Sequence, residues 1–229
     1  MIYCLLPKNK KSDYISNFFM GLVIFLAVVV IYVRVVYGCT RVDGESMLPT
    51  LQHEQYVILQ RKGYTLNRGD IVTIDRREFN GDKEPLIKRV MALGGDKLLF
   101  MYDTDGIHLN LYLCKNGEDR FTLCRESYIN DRMIMNKTYT FIQPLSHIAD
   151  LENIDLGGDD ARLAAIEGCQ ITVPNGKFFF MGDNRNNSQD SRGKYEMFDV
   201  SKILGKVIKI VDMSSAENKF LDFLLKASI

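Results

Sequence analysis

The stretch GESMLPTL, residues 44–51, contains a serine that could act as a nucleophile. It is not a Gly-x-Ser-x-Gly elbow, because Leu48 stands where the second glycine would be. A serine ahead of a proline is also typical of a turn, and Pro49 follows closely. The stretch alone therefore allows two interpretations of Ser46, a hydrolytic nucleophile and a turn residue.

Histidine is the usual base that activates a serine. His53 follows Ser46 too closely to indicate a partner, while His108 and His147 lie in a polar stretch. Nothing in their context distinguishes these side chains from surface histidines. A Ser/His pair is therefore not predicted.

Lys88 is the other candidate base. In the strand-like run LIKRVM, residues 86–91, alternation places Lys88 on the same face as Leu86 and Val90. Burial among apolar neighbours disfavours the ammonium form, and a pKa lowered from ~10.4 to ~8 would supply free amine near neutral pH. The alternative is an edge-strand lysine whose amine reaches water.

A dense polar run follows three phenylalanines: MGDNRNNSQDSR, residues 181–192. Its acids and arginines could form charge-assisted pairs that stiffen a loop. A calcium loop is an alternative, but the acids lack the required spacing and Arg185 would repel the ion. A solvated loop is another, and the run alone does not decide among them.

Sequence signals for a metal or an organic cofactor are missing, and we expect neither. There is no His-Glu-x-x-His run, no Gly-Lys-Ser/Thr phosphate loop and no zinc-type cysteine spacing. Lys plus Arg and Asp plus Glu each number 29, so the net charge indicates no nucleic-acid partner. Cys114 and Cys124 lie in a polar stretch and could bridge in an oxidising compartment.

The candidate residues need a scaffold, whose first predicted element is a membrane helix over residues 15–38. Residues 18–33, FFMGLVIFLAVVVIYV, carry no charge. At ~1.5 Å rise per residue, a helix of about 20 residues covers a hydrocarbon core of ~30 Å. A cleaved targeting peptide is the alternative, but the apolar run is longer than a usual signal core.

The flanking charges predict how this helix is oriented. Lysines at positions 8, 10 and 11 precede it against a single acid, Asp13, whereas acids balance the basic residues on the other side. The positive-inside rule then makes residues 1–14 a short cytoplasmic N-terminus and places the chain from residue 39 outside.

After the helix, short apolar runs alternate with turn signals, which predicts a mostly β, antiparallel domain. The stretch 102–170 is more polar and is interpreted as an inserted smaller subdomain. The main β domain would comprise 39–101 and 171–229, with a short helix over 217–229. Strands are expected at 56–59, 71–74, 86–91, 97–100, 177–181 and 207–211.

Together these stretches resemble the type I signal peptidases, which are membrane-bound serine endopeptidases with a Ser/Lys dyad. Sequences similar to four of that family's boxes follow a membrane helix in order. They are residues 44–51, 68–72 (RGDIV), 87–96 (IKRVMALGGD) and 182–192 (GDNRNNSQDSR). The resemblance implies a coiled antiparallel sheet as catalytic domain, and it does not extend into 102–170.

The resemblance also implies roles for individual residues. Ser46 would be the nucleophile and Lys88 its general base, with Ser188 orienting the lysine amine. The Ser46 N–H would stabilise the oxyanion, and Met47 would line the substrate cleft.

Two ion pairs are implied as well. Asp183 would lie near Arg89, and Asp190 would pair with Arg192. Both pairs would hold the lysine strand against the polar loop.

Three positions depart from the family's pattern. Gly44 stands where many relatives have a hydroxyl that completes the oxyanion hole, so the second donor is left open. Asn186 replaces an aspartate and Gly94 replaces a proline. None of these changes removes the dyad.

The function implied is that of a signal peptidase I, which removes N-terminal signal peptides from exported preproteins. Its partners would be signal peptides with small residues before the cleavage site and the lipid bilayer. Its location would be a bacterial cytoplasmic membrane, single-pass, with the catalytic domain on the outer side. Two alternatives stay open: a maturation peptidase dedicated to a few secreted or conjugation proteins, and a tethered β scaffold with a dead dyad.

Overall fold

The computed structural model describes residues 10–80, 84–193 and 195–211. Within this part, a long N-terminal helix precedes two antiparallel sheets, which confirms the predicted mostly β fold with one apolar helix. The helix expected over 217–229 lies outside the described residues, as do residues 1–9 of the expected N-terminal segment.

Helix α1, Lys10–Val36, begins and ends slightly before the predicted segment. Within Tyr14–Val36, the most apolar 18 residues have a mean hydropathy of 2.7 and are not buried inside the protein. Large apolar side chains such as Phe18, Phe25 and Ile31 are exposed around it. A helix that is apolar on all sides and unburied could span a membrane.

The first sheet is a curled, antiparallel sheet that begins directly after α1. Among the described residues its strands run in the order β1-β2-β12-β3-β4-β10-β11. Their bounds are β1 Tyr37–Arg41, β2 Tyr56–Gln60, β3 Ile71–Ile74, β4 Leu86–Leu93, β10 Lys177–Met181, β11 Phe198–Asp199 and β12 Ile203–Val211. All six predicted strand stretches therefore form strands, five of them in this sheet.

The second sheet has the order β7-β6-β5-β9, with β8 paired to β6. It comprises β5 Lys97–Tyr102, β6 His108–Cys114, β7 Thr122–Leu123, β8 Met133–Ile134 and β9 Ile171–Thr172. This sheet extends beyond the expected insert, because β5 and β9 flank residues 102–170. Short helices α2, Arg77–Asn80, and α3, Leu163–Cys169, and two 3-10 turns, Leu151–Asn153 and Val200–Lys202, complete the described fold.

The register of β6 against β7 keeps Cys114 and Cys124 apart. Tyr112 lies opposite Leu123, and the Cys124 N–H donates to the Leu111 carbonyl at 2.9 Å. The two cysteines are thus displaced by three positions along the ladder, about 10 Å, whereas a disulfide needs Cα atoms within about 7 Å. Both thiols are free.

Strand β10 joins the cores of the two sheets. Phe178 and Phe180 pack with Val90 on one side. Phe179 points to the other side, where its ring centroid lies 6.1 Å from that of Phe100 in β5. Because β10 is covered on both faces and pairs with β4, this packing fixes β4 within the first sheet.

Candidate active site

The structure brings Ser46 and Lys88 into contact. The Lys88 Nζ donates a hydrogen bond of 2.5 Å to Ser46 Oγ. Ser46 lies in the turn that follows β1, and Lys88 lies in β4, paired with Val72 of β3. Since β4 is an internal strand with β3 and β10 on either side, the amine is presented from a rigid backbone.

The environment of Lys88 makes its amine a weaker base than an ordinary lysine. Only 3% of the residue is exposed. Burial lowers the pKa of the amine to about 8; the charge of Asp190 acts in the opposite direction, and that of Arg192 lowers the pKa further. Some free amine is therefore present near neutral pH, and this form can accept a proton from a neighbouring hydroxyl.

The polar loop 182–192 packs directly against the serine turn. The Asn184 N–H donates to the Ser46 carbonyl at 3.0 Å, and its side-chain amide donates to the Glu45 carbonyl at 3.1 Å. Gly182 lies closer: a Cβ atom there would fall 2.4 Å from the Ser46 carbonyl oxygen and 2.3 Å from Ser188 Oγ. Only glycine fits at such an approach, so the position of Ser46 depends on the backbone of this loop.

Asp183 connects this loop to the segments that carry Ser46 and Lys88. Its carboxylate accepts hydrogen bonds from Arg89 Nε at 2.8 Å and Arg89 Nη2 at 2.5 Å. It also accepts one from Thr50 Oγ1 at 2.5 Å. Arg89 is the neighbour of Lys88 in β4 and Thr50 lies in the turn after Ser46, so one buried carboxylate holds three segments together. The contact of Thr50 was missed from sequence, although the residue lies in the nucleophile box.

Asp190 and Arg192 form a pair that is closed to solvent, with both side chains 0% exposed. Arg192 donates from Nε at 2.8 Å and from Nη2 at 2.7 Å to the two carboxylate oxygens. Burial acts to raise the pKa of Asp190, but Arg192 and the Gly182 N–H hold that pKa below its ordinary value. Because Arg192 also donates to the Arg185 carbonyl at 2.7 Å, the pair folds the loop onto itself.

Ser188 lies beside Ser46 and Lys88 without a hydrogen bond to Lys88. Its Oγ is buried and has no hydrogen-bond partner among the described residues. The residue borders the same cleft as Ser46 and Lys88. The orienting role implied for Ser188 therefore stays a prediction, and it would require the hydroxyl and the amine to move toward each other.

A cleft of about 400 Å³ opens beside Ser46 and Lys88. Its walls are mostly polar and are formed by residues 43–46, 84–88 and 186–189, with Arg76, Asn136, Thr138 and Tyr195. Asn136 and Thr138 belong to the stretch interpreted as an insert, which therefore contributes to the cleft. Within the described residues, no cluster of His, Cys, Asp or Glu side chains is arranged to hold a metal ion.

Met47 does not lie in the wall of this cleft, where the family resemblance had placed it. The residue is 1% exposed and packs in the core with Leu51 and Val57. The turn directs this apolar side chain inward, while Ser46 faces the cleft. The role of Met47 in lining the substrate cleft therefore stays a prediction.

The geometry of the turn limits which groups could stabilise an oxyanion. The φ angle of Gly44 is +83°, in the left-handed region that favours glycine. The Gly44 N–H donates to His53 Nδ1 at 3.0 Å and is therefore already occupied. The Ser46 N–H makes no hydrogen bond within the described residues and is free to donate. This role of His53 was missed, because its sequence context is that of a surface histidine.

A contact between the insert and the polar loop was also not predicted from sequence. Arg185 is buried, and its guanidinium binds Glu126 and Tyr128 of the stretch 102–170. Neither partner lies in a motif. The charges of the loop could have indicated this contact. Asp183 and Asp190 pair with other arginines, so Arg185 needs an acid from outside the loop.

Comparisons with known proteins show the family to which the chain belongs. A family model described as signal peptidase, peptidase S26, matches residues 15–211. Signal peptidase I P of Bacillus subtilis subsp. natto is 32% identical over 201 residues, which cover 86% of this chain and 89% of the relative. Signal peptidase IB of Staphylococcus aureus (strain COL) is 29% identical over 170 residues, 72% of this chain and 73% of the relative. A crystal structure of a signal peptidase I from Enterococcus faecalis matches with 23% identity and a TM-score of 0.35, covering 65% of this chain and 100% of that chain. The chain belongs to the signal peptidase family, peptidase S26.

Proposed function

We propose that this protein is a signal peptidase I that cleaves preproteins with Ser46 as nucleophile and Lys88 as general base. The observation that carries the proposal is the 2.5 Å contact between Lys88 Nζ and Ser46 Oγ at the edge of a polar cleft. The lowered pKa of Lys88 supports it, since an amine with a pKa of about 8 can act as a base near neutral pH.

The proposed reaction proceeds through an acyl-enzyme. The neutral amine of Lys88 takes the proton from Ser46 Oγ as that oxygen attacks the scissile carbonyl carbon. The Ser46 N–H donates to the oxyanion that forms, and the lysine ammonium then gives its proton to the departing amine. In the second half, the amine takes a proton from a water molecule that attacks the ester. As the bond between the acyl carbon and Ser46 Oγ breaks, the lysine ammonium returns this proton to Oγ, which releases the acid and regenerates Ser46 and the free amine. The steps need no metal or organic cofactor.

The N-terminal helix gives this chemistry a location. A membrane anchor at Tyr14–Val36 would hold Ser46, which follows shortly after β1, close to the bilayer surface. Confining enzyme and substrate to one plane raises their effective concentration. The flanking lysines favour an orientation in which the catalytic domain lies outside a bacterial cytoplasmic membrane. The substrates would be signal peptides with small residues before the cut, bound as an extended strand in the cleft.

Cleavage of authentic preproteins tests the function directly. We expect the purified full chain, reconstituted in lipid vesicles, to cut each preprotein of a mixed panel once, at the end of its signal segment. N-terminal sequencing of the products identifies the bond. Cleavage of a single client would favour the dedicated maturation peptidase, and no cleavage of any substrate would favour the dead scaffold.

The rate of cleavage should rise with pH through a midpoint near the Lys88 pKa of about 8. The physical reason is that only the free amine accepts a proton, so the rate falls about tenfold per pH unit well below the midpoint and levels off above it. Initial rates measured with one preprotein across mildly acidic to alkaline buffers give the profile, with kcat and KM determined separately. A flat profile over this range would contradict a lysine base.

A further inference from the structure

We propose that Glu126 and Tyr128, in the stretch 102–170, are positioning residues that hold the polar loop in place behind Ser46. They act through Arg185, which binds both of them and the backbone of Gly182. The inference rests on the proposed function, since it assigns to the insert a part in placing the dyad.

Arg185 is the point at which the insert meets the loop. The residue is 1% exposed, although it carries a full charge. Both terminal nitrogens of its guanidinium donate to the Glu126 carboxylate, with Nη2 at 2.5 Å from Oε1. Its Nε donates to the Gly182 carbonyl at 3.0 Å. One side chain therefore connects an acid of the insert to the loop residue that packs against Ser46.

Tyr128 extends this network to the strand that carries the base. Its hydroxyl donates to Glu126 Oε1 at 2.7 Å and accepts from Arg185 Nη2 at 3.3 Å. The guanidinium carbon of Arg89 lies 3.9 Å from the centre of its ring, within the range of a cation–π contact. Because Arg89 also holds Asp183, the tyrosine contacts both arginines that anchor the loop.

The charges within the loop do not suffice without the insert. Asp183 is bound by Arg89, and Asp190 is bound by Arg192. Glu126 is thus the carboxylate that balances Arg185, at a site where an unpaired buried charge is strongly unfavourable. The insert supplies a group that the four sequence boxes lack.

Loss of the charge balance between Glu126 and Arg185 should move Gly182. That residue has no free space toward Ser46 and Ser188, so a displaced loop alters the turn that carries the nucleophile. It also admits water toward Lys88, whose pKa is lowered mainly by burial. A misplacement of about 1 Å in such a site is enough for a 100-fold loss of rate.

The test compares the variants Glu126→Gln, Glu126→Asp and Tyr128→Phe with Glu118→Gln in the full chain. Glu118 also lies in the insert and pairs with Lys115, but on the surface, so it is a matched control. We expect Glu126→Gln to lower kcat on a preprotein by about 10- to 100-fold with little change in KM, and to move the midpoint of the pH profile to higher pH. Glu126→Asp should recover part of the rate, Tyr128→Phe should show a smaller loss, and the control should match the wild type.

A second readout does not depend on activity. The rate at which acetic anhydride modifies Lys88, measured by mass spectrometry, should increase in Glu126→Gln and stay unchanged in Glu118→Gln. The inference would be overturned if the labelling of Lys88 and the midpoint of the pH profile stayed unchanged while kcat fell only in proportion to the folded fraction of the protein. If Glu126→Gln does not fold, the same readouts in Tyr128→Phe decide. Wild-type chain that labels as expected but cuts no preprotein would instead refute the proposed function.

Discussion

Replacing Lys88 with methionine is expected to lower kcat/KM on a preprotein by about 10²- to 10⁴-fold, the usual contribution of a general base. Ser46→Ala should reduce cleavage to the background rate. Methionine has nearly the length of the lysine stem and can occupy the same space in β4, so the change removes the amine and little else. Rates of preprotein cleavage by the full chain in vesicles provide the measurement.

The two substitutions should not be additive. When two side chains act as a unit, loss of either one removes most of what both supply. The variant with both Ser46→Ala and Lys88→Met should therefore be no slower than Ser46→Ala alone. Lys209→Met is the matched control, because Lys209 is an exposed lysine of the same sheet, and it should cleave at the wild-type rate.

The thermal stability of Lys88→Met distinguishes a folded protein that lacks the amine from a protein that is inactive because it unfolds. A lysine whose pKa falls from 10.5 to about 8 on folding carries a cost on the order of 3 kcal/mol in its charged form. Lys88→Met removes that cost, so its melting temperature at neutral pH should equal or exceed that of the wild type. A variant with near wild-type activity would refute the lysine base, and a variant that is inactive only because it unfolds would show a lowered melting temperature.

Strand alternation placed Lys88 on an apolar face, but it did not exclude an edge-strand lysine whose amine reaches water. The sequence LIKRVM places the lysine between apolar residues on one face, and the strand is internal to the sheet, so only 3% of the residue is exposed. The pairing of Ser46 with Lys88 could not be derived from alternation, because it depends on how the turn after β1 folds over β4. Only the family resemblance placed these two residues together.

Other features required the tertiary fold. Met47 is adjacent to Ser46, but the direction of its side chain is set by the turn, which local sequence does not specify. The role of Glu126 depends on the second sheet, whose short strands β7 and β8 have little sequence signal of their own. The spacing of Cys114 and Cys124 suggested a bridge, whereas the register that separates them is fixed by pairing with β6. In each case, long-range packing decides between local possibilities.

Breaking the buried pair of Asp190 and Arg192 should have the largest effect on stability. Asp190→Asn keeps the size of the side chain but leaves a guanidinium of 0% exposure without its counter-charge. Removing one partner of a buried pair costs about 3–5 kcal/mol. For a domain of this size, that corresponds to a melting temperature lowered by roughly 6–20 °C, which thermal unfolding of the full chain in detergent would measure.

The chain contains a closely matched control for this substitution. Asp160 and Arg162 have the same spacing in sequence, and Arg162 Nη2 donates to the Asp160 carboxylate at 2.6 Å, but both side chains are partly exposed. Exposed pairs contribute only about 0–1 kcal/mol, so Asp160→Asn should change the melting temperature by a few degrees at most. If both substitutions lowered the melting temperature equally, burial would not be the reason that the pair of Asp190 and Arg192 stabilises the protein.

The same substitution should also change the chemistry in a defined direction. The negative charge of Asp190 raises the pKa of Lys88 and partly opposes the effect of burial, whereas Arg192 lowers it. Removing the carboxylate charge while Arg192 remains should therefore move the midpoint of the pH profile to lower pH. This direction is opposite to that expected for Glu126→Gln, where the lysine gains contact with water. The midpoints of Asp190→Asn and Glu126→Gln should be measured on the folded fraction of each variant. A shift to lower pH indicates a change in the charges around the amine, and a shift to higher pH indicates a change in its burial.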